Sequence, residues 1–346
     1  MSQPSQSARR GIALGLAAAT AAAVLSACSG SSSGLGSPDD SSPLRVGVID
    51  SVGDVPFQIG SQQNGSSPYS RAFMNAGLTM VVQNFASQSD ELAALAANKI
   101  DIAFGEYAQF FNSSSQLADS DNLRVVSEGY DAAAGTIGLL TQKNAALPNW
   151  GPNNQIKCDG DTTIAVPSLR GTEYLALAAW LQSLGSPLPA QCAAIHEVAN
   201  PAQAITMVAR GQVSAAALQE PYVTAAQISA GLQVTQDLAT GNAQAVPVDG
   251  YFATKDFTVK YPRTTAIFAA VMAKLQASAG ARVIVETALQ SSAIDKHVIA
   301  AMQLGTYPTA VLPAKIDIVL RLMGTAGTIN GQLDSAKLTN LNGDAG

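Results

Sequence analysis

Between an apolar triplet, Ile164-Ala165-Val166, and an amphipathic run that begins at Tyr174 lies the segment Ser168-Leu169-Arg170-Gly171-Thr172. Two hydroxyls, a guanidinium and a glycine within five residues make a receptor for a polar or anionic group. A helix that starts there presents N–H groups without internal partners and the positive end of its dipole. Arg170 would add a planar fork of donors, and Gly171 would let a ligand approach the backbone. The alternative is an ordinary strand-to-helix loop with Arg170 on the surface. A second set of candidates is acidic and aromatic: Ser51 and Asp54 beside Asp50, Glu106-Tyr107, Glu128 with Tyr130, and Glu220-Pro221-Tyr222. Glu220 would line a cleft with Tyr222, or cap the helix that follows it. Arg170 could equally pair with Glu106 or Glu220 instead of touching a ligand. His196 and His297 are the only histidines. No Cys, His or carboxylate cluster stands at metal-ligand spacing, so no metal, cofactor or catalytic residue is expected.

What must position these groups is an alternation of strands and helices, which predicts βα units and a mostly parallel sheet. Strands are expected at 44–49, 78–82, 100–104 and 123–127, then at 138–141, 163–166, 195–198, 213–218 and 232–235. A return strand is expected at 247–253. Residues 51–67 read as a long polar loop, because the stretch after Pro56 is too rich in Gly, Ser and Asn for a helix. Helices are expected at 68–76, at 90–97 with Ser89 as N-cap, and from Asn200-Pro201, a good N-cap and first position. Tyr174, Leu177, Leu181 and Leu184 give the helix after Thr172 one apolar face, closed by Gly185. The pattern is helical from 256 onward and weak after Gly327. In open α/β sheets ligands bind beyond the carboxyl ends of strands, and that rule selects the loops holding the candidates above.

The first 27 residues read as an export signal. Arg9 and Arg10 precede an Ala/Leu-rich stretch, and Leu25-Ser26-Ala27-Cys28 resembles a bacterial lipoprotein box, with Cys28 lipidated. A plain secretory peptide is the alternative, and a twin-arginine signal fits less well. Residues 28–43, rich in Ser and Gly, read as a flexible tether. No later run offers the roughly 18 apolar residues of a membrane span. Removing the signal removes two arginines and no acid, so the remainder carries a formal charge of −8, which argues against nucleic acid. Cys158 and Cys192 each precede an expected strand. In an export compartment they would form a disulfide worth roughly 3–4 kcal/mol, or remain two thiols.

Five segments carry a family resemblance: LRVGVID, LAALAANKIDIAFGE, TTIAVPSLRGTEYLALAAWLQSLG, AITMVARGQVSAAALQEPYVTAAQ and DGYFATKDFTVKYP. Together, over roughly residues 44–262, they resemble the substrate-binding proteins of ABC importers for nitrate, taurine, aliphatic sulfonates and thiamine-pyrimidine precursors. The resemblance implies a type II periplasmic-binding-protein fold: two α/β lobes joined by a hinge, with a ligand cleft between them. It places lobe 1 at 44–138 and 250–346 and lobe 2 at 139–249. It implies a monomeric, lipid-anchored protein at the outer face of the cytoplasmic membrane that hands a small polar solute to an ABC permease and its ATPase. The solute is expected to be anionic, sulfonate- or nitrate-like. The acids and tyrosines leave a cation or a heteroaromatic, thiamine-pyrimidine-like ligand open. Glu220-Pro221-Tyr222 resembles the family's EPY or DPY motif, whereas Glu106 stands where its anion binders often carry small or neutral residues. A related branch is enzymatic and draws on its own histidine; this chain is expected not to be an enzyme. A sensing or adhesive lipoprotein on the same fold is a further alternative.

Overall fold

Apolar strand segments spaced by helical ones sort into two sheets. The computed structural model describes residues 36–63, 65, 67–114, 120–145, 162–185, 188, 194–329 and 333–342. The first sheet receives β1 (Leu44–Val48), β2 (Met80–Asn84), β3 (Ile102–Glu106) and β4 (Leu123–Asp131). Between them run α1 (Val55–Ser61), α2 (Ala72–Asn75), α3 (Gln88–Ala96) and α4 (Tyr107–Ser113). The chain then crosses to a second sheet made of β5 (Ile137–Thr141), β6 (Ile164–Val166), β7 (Ile195–Glu197), β8 (Ala215–Gln219) and β9 (Gln233–Asp237). Its helices are α5 (Thr172–Ser183), α6 (Pro201–Ala209) and α7 (Tyr222–Ala230). A second crossing brings β10 (Pro247–Thr254) back into the first sheet. Then follow α8 (Lys255–Lys260), α9 (Pro262–Ala279), α10 (Arg282–Leu289), α11 (Lys296–Ala301), α12 (Pro313–Ala326) and α13 (Ser335–Thr339).

The two sheets share one plan. Their orders are β2-β1-β3-β10-β4 and β7-β6-β8-β5-β9. In each, three parallel strands meet an antiparallel strand arriving from the other sheet. The expectation of a mostly parallel sheet is corrected on that point: β10 and β5 run against both of their neighbours because each enters from the far side of a crossing. All residues of β4, β5 and β10 are buried: β5 and β10 lie inside their sheets, and β4, at the edge of the first sheet, is covered by α8, α9 and α13.

The polar loop expected at 51–67 is also corrected. Val55–Ser61 is a helix whose Val55, Pro56, Phe57, Ile59 and Gly60 are buried. Its glycine is a packing requirement: a Cβ at Gly60 would stand 2.3 Å from Leu275 Cδ1 on α9. The helix expected at 68–76 shrinks to α2, and α3 is capped by Ser87, whose side chain accepts the Asp90 N–H, rather than by Ser89. The apolar surface of α5 is wider than the one face its spacing predicts. Nine of its residues are buried, because α12 packs across its outer side. Within the segment expected to be tether, Asp39 accepts the Arg263 and Thr264 N–H groups at 2.7 and 3.1 Å, capping the first turn of α9. Cys28, Cys158 and Cys192 lie outside the described residues; the strands that follow the last two, β6 and β7, are parallel neighbours. Among the described residues no single helix is long and apolar enough to cross a membrane.

Candidate functional site

The carboxyl ends of β3, β6 and β8 open onto one cleft between the two sheets, with a volume of about 540 Å³. Ser51 and Gly53 from the β1 loop, Gln88 from α3 and Glu106 from β3 line one wall. Pro167, Glu173 and the Gln219–Tyr222 corner line the other, and Asp249 of β10 lies between them. Ser291 to Ile294, joining α10 and α11, closes part of the rim. The volume falls within the range usual for small-molecule sites, roughly 300–1,000 Å³.

Glu106 organises the cleft. Gln88 holds its backbone through a pair of bonds: the Glu106 N–H donates to Gln88 Oε1 at 3.1 Å and Gln88 Nε2 donates to the Glu106 carbonyl at 3.0 Å. The side chain is thereby aimed across the cleft at the start of α5. Glu106 Oε2 accepts the Thr172 N–H at 3.1 Å and the Thr172 hydroxyl at 3.4 Å, while Oε1 accepts Gln219 Nε2 at 3.4 Å. The donor-rich helix start that the sequence offers to an anion is thus taken by the chain's own carboxylate. A Cβ at Gly171 would lie 3.0 Å from Glu173 Oε2 and 3.3 Å from Glu106 Oε2. Two acids from opposite lobes therefore converge on one point, and a side chain at Gly171 would crowd both.

The lining is acidic and lacks basic partners. Among its described residues are Asp50, Glu106, Glu173, Glu220 and Asp249, and no Lys, Arg or His. Burial pushes the carboxyl of Glu173 well above its ordinary range, and the Glu106 charge pushes it further. The same two causes raise Asp249 to about 8, with the Ser51 hydroxyl at 3.3 Å opposing them. Glu106 is raised by burial, against the bonds from Thr172, Gln109 and Gln219. These are the shifts expected of carboxylates taken out of water beside like charge.

Of the residues singled out by sequence, Ser51, Glu106, Tyr130, Glu220 and Tyr222 line the cleft. The others do not, for identifiable reasons. Asp54 is fully buried under the β1 loop and accepts the Tyr251 hydroxyl at 2.9 Å. Tyr107 is fully buried and donates to Glu128 Oε2 at 2.6 Å, against a Gly250 whose missing Cβ makes room for its ring. The Ser168 hydroxyl accepts the Arg170 N–H at 3.1 Å. The Arg170 side chain is exposed, and no ion pair to Glu106 or Glu220 forms. Gly171 and Thr172 face Glu106 rather than the open space. His196 and His297 are exposed and outside the lining.

Glu220 is fully committed. Its carboxylate accepts the Thr224 N–H and hydroxyl at 3.1 and 2.7 Å and the Gln303 N–H at 3.0 Å. Tyr222 is 38% exposed at the mouth. Sequence reasoning misses Glu173 and Asp249, along with Gln88, Gln109 and Gln219. Glu173 stands in a helix first turn, where an acid is ordinary. Asp249 sits in an apolar strand whose position inside the molecule depends on the second crossing.

Residues 37–287 match the NMT1-like family. No curated protein matches the chain. Among solved structures, the periplasmic nitrate-binding protein of Synechocystis superposes with a TM-score of 0.69 at 13% identity, covering 89% of this chain and 88% of its own. The ligand-binding component of an ABC-type import system from Staphylococcus aureus, with zinc bound, gives 0.67 at 13% identity, covering 88% and 98%. The periplasmic aliphatic sulphonate-binding protein of Escherichia coli gives 0.61 at 16% identity, covering 86% and 91%. At these identities the likeness establishes the periplasmic-binding-protein fold.

Proposed function

This chain belongs to the NMT1-like family, and we propose that it is the extracytoplasmic solute-binding component of an ABC importer, with its ligand held in the cleft between the two lobes. The observation that carries this reading is the cleft itself. Strand ends from both sheets, Glu106 on one side and Glu173 with Tyr222 on the other, converge on a single cavity. No bond need be made or broken. Hydrogen bonds to fixed glutamines and carboxylates hold a small polar molecule, and closure about the crossings expels water.

The expected anion, a sulfonate or nitrate, has little support in this lining, where the helix start is occupied by Glu106 and no basic side chain is found among the described lining residues. The signal and lipobox at residues 1–28 support export and anchoring through Cys28 at the outer face of the cytoplasmic membrane. A permease with its ATPase is the partner to which a monomer would deliver.

The test is a thermal-shift screen of the purified protein against a broad library of small solutes, paired with native mass spectrometry of protein purified from its host. A stabilising or co-purified solute, lost in a Tyr222→Ala variant, is the expected result. Absence of any bound or stabilising solute would overturn the reading.

A further inference from the structure

We propose that the cleft recognises a small organic cation bearing N–H donors, such as a primary ammonium, amidinium or guanidinium group, between Glu173 and Asp249. This rests on the reading of the cleft as a solute site and names the class of solute.

The geometry carries it in three steps. Glu173 is 3% exposed, lines the cleft and has no partner among the described residues beyond its own backbone N–H. A buried carboxylate without a donor carries a large desolvation cost, and in a binding protein a donor on the ligand removes it. Asp249, 7% exposed, holds only the Ser51 hydroxyl, at 3.3 Å. A Cβ at Gly53 would stand 2.4 Å from Asp249 Oδ2, so the glycine keeps that oxygen's surroundings open. Glu106 is already saturated by Thr172 and Gln219, and it adds negative potential to both neighbours without needing the ligand itself.

The charged and titratable groups facing this point are Asp50, Glu106, Tyr130, Glu173, Glu220, Tyr222 and Asp249, with no cation among the described lining residues. Arg282, which faces Glu220, gives its donors to Glu286 and to the carbonyls of Ile299, Ala300 and Met302. Among the described residues no group of His, Cys, Asp and Glu is arranged to hold a metal ion. Phe104 and Tyr130 in the same wall suit the apolar body of an organic cation.

The experiment is isothermal titration of the purified protein at pH 8 with agmatine, putrescine and benzamidine, and with taurine and nitrate. Each is run in two buffers of different ionisation enthalpy. At least one N–H cation is expected to bind with net release of protons, because a cation draws Glu173 and Asp249 into their ionised forms. Affinity should fall at least tenfold in Glu173→Gln and in Asp249→Asn, with circular dichroism unchanged. Should one variant fail to fold, the other and the proton count still decide. Binding of taurine or nitrate with proton uptake, and of no cation, would overturn this inference and leave the solute-binding reading standing. So would cation binding indifferent to both variants. No binding by any probe overturns this inference, and the library screen above then decides the broader one.

Discussion

Two carboxylates end equivalent strands in the two sheets. Glu106 closes β3 and Glu220 follows β8, each after a similar helix–strand segment. Their fates differ. Glu220 turns back on its own helix, satisfied by Thr224, and ties the segment after α11 through Gln303. Glu106 reaches over the cleft to Thr172 and Gln219 of the other lobe and stands beside two further buried acids. One strand-end acid is a structural cap; the other is part of an electrostatic field across a binding cavity. The difference lies in what each strand end faces, not in the motif that precedes it.

The largest test of the contrast is pH. The folded state holds Asp249, Glu91 and Glu128 at about 8, whereas in the unfolded chain such acids titrate near 4. Between those values the folded form binds more protons, so stability falls as pH rises and levels off above about 8. The loss from pH 5 to pH 9 should be at least about 3 kcal/mol by urea titration, since each tenfold difference in proton affinity between the folded and unfolded chain is worth about 1.4 kcal/mol. A Glu173→Gln, Asp249→Asn double variant should make that curve shallower, leaving the part due to Glu91 and Glu128, and should do so more than Glu220→Gln. A curve rising with pH would break the comparison.

Next in size is Glu220→Ala. It strands the Thr224 and Gln303 donors in a buried corner and should cost about 2–3 kcal/mol, lowering Tm by roughly 4–8 °C in calorimetry. Glu106→Gln should do the opposite at pH 9, raising stability by about 1 kcal/mol through relief of repulsion, with little effect at pH 5. A loss as large as that of Glu220→Ala would show that Glu106 is a cap as well. Smallest is Thr172→Val, which deletes only the long 3.4 Å bond to Glu106 and keeps the backbone one. It should cost less than about 1 kcal/mol in denaturant titration.

Much of this is legible in residue order. The alternation of apolar strands and helical runs and the return strand near Pro247 follow from periodicity and turn residues, which act locally, while the two lobes with a cleft between them are what the family resemblance implies. The 51–67 stretch departs from its local pattern for a physical reason: Gly60 weakens a helix by propensity, yet it is what lets Leu275, more than 200 positions away, pack against α1. Tyr107 and Asp54 escape sequence reasoning because a residue at a strand end is equally well aimed at the cleft or at the core, and spacing does not distinguish the two.

Sequence by itself determined the fold class, the family and the presence of a polar helix start after Gly171. Only the tertiary structure decided what that helix start binds. Glu106 arrives there from 66 positions away, and Glu173 and Asp249 become neighbours through chain crossings that no local pattern encodes. Hydrophobic periodicity sets elements one at a time, whereas electrostatics depends on which elements end up facing each other, and so the acidic character of the described cleft lining was readable only after folding.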